Sequence, residues 1–289
     1  MNKFTRVVVI TGCSSGIGRA AAFHFARHGW AVVGTVREQF QLYSLSAELH
    51  QASLHTSLVL CDVTREDDVV QLVSHAIERF GRVDVLINNA GFARSGCLEL
   101  VTMDEARAQV EVNTLAPIRL TQLLLPHWRK QGGGRIINIS SVAGRVTLPW
   151  NGWYSASKFA LEALTDALRL ELRPFKIDVV SVLAGPVLTK FVSNVKLTEP
   201  PTDAPEIYRR IHDFAQIRRA APRPGAWTAE RCAALLYEIA TVTRPRTRYV
   251  TGAKAQMAIL LRKLLPDRLW DRLLLRAYGV SSLLTKRTA

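Results

Sequence analysis

A glycine-rich turn follows the first apolar segment of the chain. Its residues are Thr11-Gly12-Cys13-Ser14-Ser15-Gly16-Ile17-Gly18, and a helical pattern begins inside it. Glycine allows a tight bend and a close approach of the backbone, and the unpaired N–H groups at a helix start attract a pyrophosphate. The predicted contacts to the phosphates of a dinucleotide are Gly12, Ser14, Ser15, Gly16, Ile17 and Gly18. Because the spacing G-x-x-x-G-x-G differs from G-x-G-x-x-G, the turn alone would also fit a sequence that binds no ligand.

A tyrosine and a lysine stand four residues apart later in the chain, at Tyr154 and Lys158. On an α-helix this spacing puts both side chains on one face, so that their polar ends converge on one site. A tyrosine at its ordinary pKa of about 10 is a poor base at neutral pH, whereas a nearby ammonium lowers that pKa. The pair predicts a general acid or base, although either residue alone is common on a helix surface.

The elements that must position these residues alternate over the first 190 residues. The predicted strands are 7–10, 31–36, 58–61, 83–87, 135–139 and 177–183, and the predicted helices are 19–28, 39–51, 66–79, 115–130 and 155–173. Nearly continuous Val, Ile and Leu segments favour parallel strands covered on both faces. The alternation predicts an α/β fold, with residues 1–289 forming a single doubly wound Rossmann domain whose parallel sheet has helices on both faces.

The regular alternation ends near residue 190. Five prolines interrupt residues 200–224, and 190–226 are predicted to form a lid or insertion at the substrate site, with a helix over 207–218. A last strand is predicted over 247–251. Residues 253–289 are predicted to be a basic amphipathic extension, because Arg268, Arg272 and Arg276 share one helical face and apolar residues lie mainly on the other. That extension either packs against the domain or rests on an anionic membrane surface as a peripheral contact.

Composition and charge exclude several classes of protein. The 289 residues are 48% hydrophobic and contain four scattered cysteines, which indicates a folded chain with free thiols rather than a disulfide scaffold or a zinc site. No apolar segment reaches the length of a membrane span. Of the net charge of +14, residues 201–289 carry +10. No nucleic-acid motif accompanies this basic region, so we expect no nucleic-acid partner, no metal site, and a cytoplasmic or membrane-peripheral location.

Five ordered motifs together make the chain resemble a classical short-chain dehydrogenase/reductase, of the hydroxysteroid and retinol dehydrogenase type. They are the turn 11–18, Asn88-Asn89-Ala90-Gly91, Asn113, Ser141 thirteen residues before Tyr154, and Tyr154-x-x-x-Lys158. The resemblance implies that Tyr154 is the general acid or base, that Ser141 hydrogen-bonds the substrate oxygen, and that Asn113 orients Lys158 through water. It implies cofactor contacts at Asn89, Ala90, Gly91, Tyr154, Lys158 and Thr189, and a homodimer or homotetramer.

The choice of cofactor depends on the residues after the second strand. A site for NAD places an acid there to bind the ribose, whereas here Val36 is followed by Arg37. A guanidinium fits the 2′-phosphate of NADP, so NADP (as NADPH) is predicted and NAD is less favoured. In the alternative, Glu38 binds the ribose and Arg37 is a solvated charge.

Two residues after the third strand complete the predicted cofactor site. The resemblance implies that Asp62 hydrogen-bonds the adenine and that Val63 lies beside it. The alternative is that Asp62 is only a carboxylate at the start of the next helix, for which Thr64 is a candidate N-cap.

Apolar residues surround the predicted carbonyl position. Leu148, Pro149, Trp150 and Trp153 precede Tyr154, and Phe92 follows the asparagine motif. We therefore expect an NADP-dependent oxidoreductase that transfers a hydride between the nicotinamide and a small hydrophobic substrate, a bulky apolar alcohol or carbonyl of steroid, retinoid or aromatic-ketone type. The alternative is a non-catalytic protein of the same fold that senses the cofactor or docks on a membrane, which would have no use for Ser141, Tyr154 and Lys158 together.

Overall fold

The protein was analysed as a computed structural model that describes residues 6–52, 54, 56–221 and 224–278. The strands in these ranges are β1 (Val7–Ile10), β2 (Ala31–Val36), β3 (Thr56–Leu60), β4 (Val85–Asn88), β5 (Arg94–Ser95), β6 (Gly134–Ser141), β7 (Ile177–Ala184), β8 (Val187–Leu188), β9 (Lys196–Leu197), β10 (Trp227–Thr228) and β11 (Arg248–Val250). Seven of them form one parallel sheet in the order β11-β7-β6-β4-β1-β2-β3. The order reverses between β1 and β4, where a doubly wound sheet opens a crevice at the carboxyl ends of its strands.

Helices cover both faces of this sheet. In chain order they are α1 (Gly16–Arg27), α2 (Gln39–Gln51), α3 (Glu66–Phe80), α4 (Met103–Val110), α5 (Ala116–Gln131), α6 (Gly152–Glu171), α7 (Lys190–Ser193), α8 (Glu206–Ala220), α9 (Ala229–Thr241), α10 (Ala253–Leu264) and α11 (Asp267–Ala277). A π-helical turn over Glu111–Leu115 joins α4 to α5. Phe25 of α1 and Leu236 of α9 are buried in the core on one face, and Leu72, Leu124 and Trp128 from α3 and α5 are buried on the other.

The predicted fold class is confirmed, and the bounds of β1, β2 and α2 match the sequence prediction. Helices α4, α7 and α9 were not predicted from the sequence. The prediction of Thr64 as N-cap was wrong, because Arg65 occupies the N-cap position of α3 and the Thr64 hydroxyl donates instead to Asp62 Oδ1 at 2.7 Å. Helix α8 lies within the predicted lid segment, one residue longer at its start and two at its end than the predicted helix.

The C-terminal extension folds as α10 and α11, up to the last described residue, Tyr278. Residues 279–289 of the predicted extension lie outside the described residues. Trp270 is buried, and the Tyr278 ring lies 6.2 Å from the Trp150 ring, so one face of α11 packs on the domain. Within the part of the chain that the structure describes, no helix combines the length and apolar character needed to cross a bilayer.

Candidate active site

The glycine-rich turn is joined to the loop after β4 by side-chain hydrogen bonds. Thr11 Oγ1 accepts from the backbone N–H groups of Asn89 at 3.0 Å and Ala90 at 2.9 Å. In return, the Asn89 side-chain amide donates to the carbonyl oxygens of Thr11 at 2.8 Å and Gly12 at 3.0 Å. Because β1 and β4 flank the reversal of strand order, these bonds shape the crevice itself. Asn89 thus positions the turn, in addition to the cofactor contact that the sequence predicts for it.

The turn has no room for side chains at its glycines, so a pyrophosphate could approach its backbone N–H groups closely. Gly12 and Gly16 have φ values of +73° and +58°, a region that residues with a Cβ adopt only under strain. A Cβ at Gly18 would collide with the Gly12 carbonyl oxygen and the Asn89 amide, and one at Gly16 would lie 3.3 Å from Thr189. The turn and Thr189 therefore face each other as the two sides of a narrow cradle, and the N–H groups at the start of α1 lie within it.

A surface pocket of about 500 Å³ lies at the end of β2 and β3. It is lined by Arg37, Glu38, Leu60, Asp62, Arg65 and Asp68. The Arg37 guanidinium is mostly exposed and donates to Glu38 Oε1 at 3.3 Å, while the Glu38 N–H donates to Gln41 at the start of α2. Arg65, which the sequence analysis overlooked, brings a second guanidinium to the pocket and pairs with Asp68 at 3.5 Å. The pocket therefore contains two guanidinium groups together with the carboxylates of Glu38, Asp62 and Asp68.

The remaining predicted residues of this region are placed as follows. Asp62 Oδ1 accepts from the Thr64 backbone N–H at 2.9 Å as well as from its hydroxyl, which organises the entry to α3. The Asp62 carboxylate still lines the pocket, so the structure is compatible with both interpretations of this residue. Val63 is buried in the core cluster beneath the loop.

Ser141 and Tyr154 meet at the carboxyl end of β6. Ser141 is the last residue of that strand, Tyr154 lies in the first turn of α6, and their hydroxyl groups are hydrogen-bonded. Burial raises the pKa of Tyr154, and the bond from Ser141 acts in the opposite direction. Desolvation of the phenol outweighs the hydrogen bond from Ser141, so Tyr154 is protonated at neutral pH. The lowering of this pKa by the Lys158 ammonium stays a prediction.

Lys158 lies one turn beyond Tyr154 and is almost completely buried, with 6% of its surface exposed. Its Nζ donates to the carbonyl oxygen of Ile139 in β6 at 2.9 Å. Burial lowers the pKa of Lys158 to about 8, and the charge of Glu162 opposes that shift. The ammonium form therefore predominates at neutral pH, close to the point where it begins to lose its proton.

Asn113 lies in the π-helical turn and is completely buried. Its Oδ1 accepts from the Phe92 N–H at 3.1 Å, and its Nδ2 donates to the Phe92 carbonyl at 2.9 Å and to Ser157 Oγ at 3.1 Å. A Cβ added at Gly91 would lie 3.0 Å from Asn113 Oδ1 and 3.7 Å from Lys158 Nζ, so both groups border the same glycine. The structure brings Asn113 to the site, and its predicted action on Lys158 through water stays a prediction.

A buried carboxylate supports helix α6, and it was given no role in the interpretation of the sequence. Glu162 is 2% exposed, accepts from Arg145 at 3.0 Å and from Arg248 Nε at 2.9 Å, and also accepts from the Ser181 hydroxyl. These contacts tie α6 to the loop after β6, to β7 and to β11. The spacing in the sequence could have predicted this position, since Glu162 follows Lys158 by four residues and so lies on the same face of the helix.

Aromatic side chains lie around Tyr154 and the loop that precedes it. The Phe191 ring is 6.2 Å from the Tyr154 ring, and the Trp150 ring lies 5.8 Å from Phe214 of α8 and 6.2 Å from Tyr278. Trp150 has a φ of +62°, a strained conformation for a residue with a side chain. The other predicted wall residues are partly buried: Phe92, Leu148, Pro149 and Trp153.

The chain is similar to known proteins in sequence and in structure. Residues 6–200 match the sequence profile of a family described as short chain dehydrogenase. The chain is 38% identical over 194 residues to a 3-ketodihydrosphingosine reductase from Bacteroides thetaiotaomicron, a match that covers 67% of this chain and 68% of the relative. It is 34% identical over 278 residues to an NADPH-dependent 3-dehydrocapnine reductase from Ornithobacterium rhinotracheale, covering 93% of this chain and 95% of the relative.

A solved structure shares the fold over most of the chain. It is a short chain dehydrogenase/reductase from Burkholderia phymatum in complex with NAD. The two are 27% identical with a TM-score of 0.79, and the match covers 91% of this chain and 95% of that one.

Proposed function

The chain belongs to the short-chain dehydrogenase family and is an NAD(P)-dependent oxidoreductase of CH–OH and carbonyl groups, and we propose that it uses NADP with a bulky apolar alcohol or carbonyl as substrate. The observation that carries the proposal is the assembly of Ser141, Tyr154 and Lys158 beside a glycine cradle. When bound, the nicotinamide supplies or accepts the hydride. A protein that only sensed the cofactor would need the cradle alone.

In the direction of reduction, Tyr154 donates its hydroxyl proton to the substrate oxygen. Burial keeps that proton in place at neutral pH. Ser141 donates a hydrogen bond to the same oxygen as negative charge develops there, a contribution of about 2–4 kcal/mol for a well-placed donor. The Lys158 ammonium stabilises the phenolate that forms when Tyr154 gives up its proton. Asn113 holds the loop at Phe92 against α6, which keeps this group of residues together.

A Tyr154→Phe variant tests this assignment. We expect turnover to fall by several orders of magnitude while NADPH affinity, measured by fluorescence titration, stays within a factor of about three, because the substitution removes the proton but not the ring. Tyr43→Phe is the matched control, since Tyr43 is 65% exposed on α2. A Tyr154→Phe enzyme that retains turnover within a few-fold of the natural chain would disprove the role.

Arg37 and Arg65 support the preference for NADP, since both line the pocket at the end of β2 and β3. A charge-assisted bond to a phosphate contributes about 1.5–3 kcal/mol, so Arg37→Ala should weaken NADPH binding at least about tenfold and leave NADH binding unchanged. Arg107→Ala, which removes an exposed guanidinium from α4, serves as the control. Equal weakening of both cofactors would show that Arg37 is structural and would favour Glu38 as the ribose ligand.

The aromatic wall supports an apolar substrate. Phe191 and Phe214 belong to segment 190–226, and their contacts with Tyr154 and Trp150 support the role of that segment as a lid over the substrate. Two relatives are named as reductases of 3-ketodihydrosphingosine and 3-dehydrocapnine. We therefore test NADPH consumption with 3-ketodihydrosphingosine, a steroid ketone, a retinoid, a quinone and an aromatic ketone. Turnover of a small polar keto acid in preference to all of these would refute the apolar substrate.

We also propose that the chain assembles as a homodimer or homotetramer. Exposed apolar side chains support this, since Phe159, Leu164 and Leu170 lie along α6 with more than a third of their surface accessible. Light scattering should give a mass of two or four chains, and a monomer at micromolar concentration would contradict it.

A further inference from the structure

Helix α10 turns an apolar face to solvent. Met257, Leu260 and Leu264 follow each other at intervals of three and four residues and are 54%, 49% and 69% exposed. This spacing places the three on one face. Its inner face instead carries Ala255, which is buried. A surface helix that packs only on its own domain has the reverse pattern, with its apolar side inward.

Basic side chains border this apolar face. Lys254 and Lys263 of α10 are exposed, and Arg268, Arg272 and Arg276 are exposed along α11. Among the described residues, no carboxylate pairs with those three arginines, whereas Asp267 is already paired with Arg262 at 2.7 Å. Residues 253–278 contain six basic and two acidic residues. The surface is therefore apolar and positively charged at once.

Helix α11 also exposes apolar side chains while it anchors the region to the domain. Trp270 is buried, and Tyr278, eight residues later, contacts Trp150. Leu269 and Leu273 remain 44% and 40% exposed beside the arginines. The domain thus holds α11 by one side and leaves a second apolar side and a basic side accessible.

This surface adjoins the candidate active site. The Gly185 N–H donates to Thr251 Oγ1 at 2.9 Å, just before α10, and Ala184, the residue before Gly185, pairs with Ser141 in the sheet. At the other end, Tyr278 contacts the Trp150 loop that leads to Tyr154. Both ends of the α10–α11 pair therefore contact segments that lead directly to Ser141 and Tyr154.

We propose that the exposed faces of α10 and α11, hereafter the terminal surface, dock the protein on a membrane that contains anionic phospholipid. Headgroup phosphates match the arginines and lysines, and the acyl boundary receives Met257, Leu260 and Leu264. This docking goes beyond the oxidoreductase activity and does not depend on which substrate is reduced. It places the mouth of the site at the lipid surface, where an apolar alcohol or ketone is dissolved.

Vesicle co-sedimentation of the full chain tests the proposal. We expect binding to vesicles of phosphatidylcholine mixed with phosphatidylglycerol and none to phosphatidylcholine alone, with loss of binding near 1 M salt, where the Debye length falls to about 3 Å. Each basic side chain near such a surface changes the partition coefficient about fivefold. The triple variant Arg268→Gln, Arg272→Gln, Arg276→Gln should therefore bind roughly a hundredfold more weakly.

A second variant addresses the apolar half of the surface. Leu260→Gln with Leu264→Gln keeps good helix formers and should also abolish binding, because it removes the side chains that enter the acyl boundary. Two control variants leave the terminal surface intact and change exposed positions elsewhere. The control for the arginine variant is the triple replacement Arg129→Gln, Lys130→Gln, Arg244→Gln. The control for the leucine variant is the double replacement Val70→Gln, Val242→Gln. Circular dichroism of every variant checks that the fold is retained.

Several outcomes would overturn the proposal. They are no binding of the full chain to anionic vesicles at low salt, equal losses in the control variants, or a loss in only one of the two terminal-surface variants. Suppose that the natural chain binds no vesicles and that replacing Leu260 and Leu264 lowers the mass measured by light scattering. The terminal surface would then be a contact between two copies of the chain. Because the readout is binding, Tyr154→Phe should dock normally, which separates this result from the proposed catalysis.

Discussion

Replacing Glu162 by glutamine removes a buried charge without changing the shape of the side chain. In the structure this carboxylate accepts from Arg145 at 3.0 Å, from Arg248 at 2.9 Å and from Ser181, with 2% of its surface exposed. Removal of one member of a buried ion pair costs about 3–5 kcal/mol, because the partner charge stays buried and uncompensated. Arg145 and Arg248 also contact Asp166, so we expect the lower end of that range.

The same substitution should alter the pH dependence of activity. The negative charge of Glu162 raises the pKa of Lys158 against the effect of burial, which brings it to about 8. The ammonium is present below that pKa, so kcat/KM for reduction should fall as pH rises through about 8 in the natural chain. Without the carboxylate the Lys158 pKa is lower, and the fall should begin at lower pH. A merely structural role for Glu162 would lower stability but leave this profile in place.

Two measurements check the expectation. Calorimetry should show Tm lowered by about 5 °C for a loss of about 3 kcal/mol in a chain of this size. The pH profile of kcat/KM is then compared with that of Glu206→Gln, a matched substitution in the exposed pair of Glu206 with Arg209, where an effect of at most about 1 kcal/mol is expected. If Glu162→Gln melts within a degree of the Glu206→Gln control and keeps the profile of the natural chain, the argument from burial is refuted.

Two further predictions concern the cofactor cradle and the asparagine. Gly18→Ala should weaken NADPH binding at least tenfold in a fluorescence titration, because the new Cβ meets the Gly12 carbonyl oxygen, and unchanged affinity would contradict the close approach of these backbones. Asn113→Ala should destabilise the chain by about 2–4 kcal/mol in urea unfolding and lower kcat, since it leaves the partly buried N–H and carbonyl of Phe92 without their partner. A stability within 0.5 kcal/mol of the natural chain would show that these bonds are replaced, for example by water.

The sequence was sufficient for features that depend on local spacing. Strands β1 and β2 are nearly continuous apolar segments, and the glycines of the turn indicate a backbone that excludes side chains. Both elements could therefore be predicted without knowing which residues they contact. Tyr154 and Lys158 share a helix face by virtue of their spacing alone. Helix α4 was predictable too, because Thr102 and Glu105 form a capping box, a signal that the sequence analysis passed over.

Tertiary structure decided what depends on residues far apart in the chain. The Tyr154 pKa is raised because the surrounding fold desolvates the phenol, and this effect outweighs the hydrogen bond from Ser141. Glu162 acquires its partners from Arg145, Ser181 and Arg248, which only the sheet brings together. Packing against the domain likewise decides that Trp270 of α11 is buried and that Leu260 and Leu264 of α10 are exposed. A pattern of residues tells which face of a helix is apolar, but desolvation and burial are set by the neighbours that folding supplies.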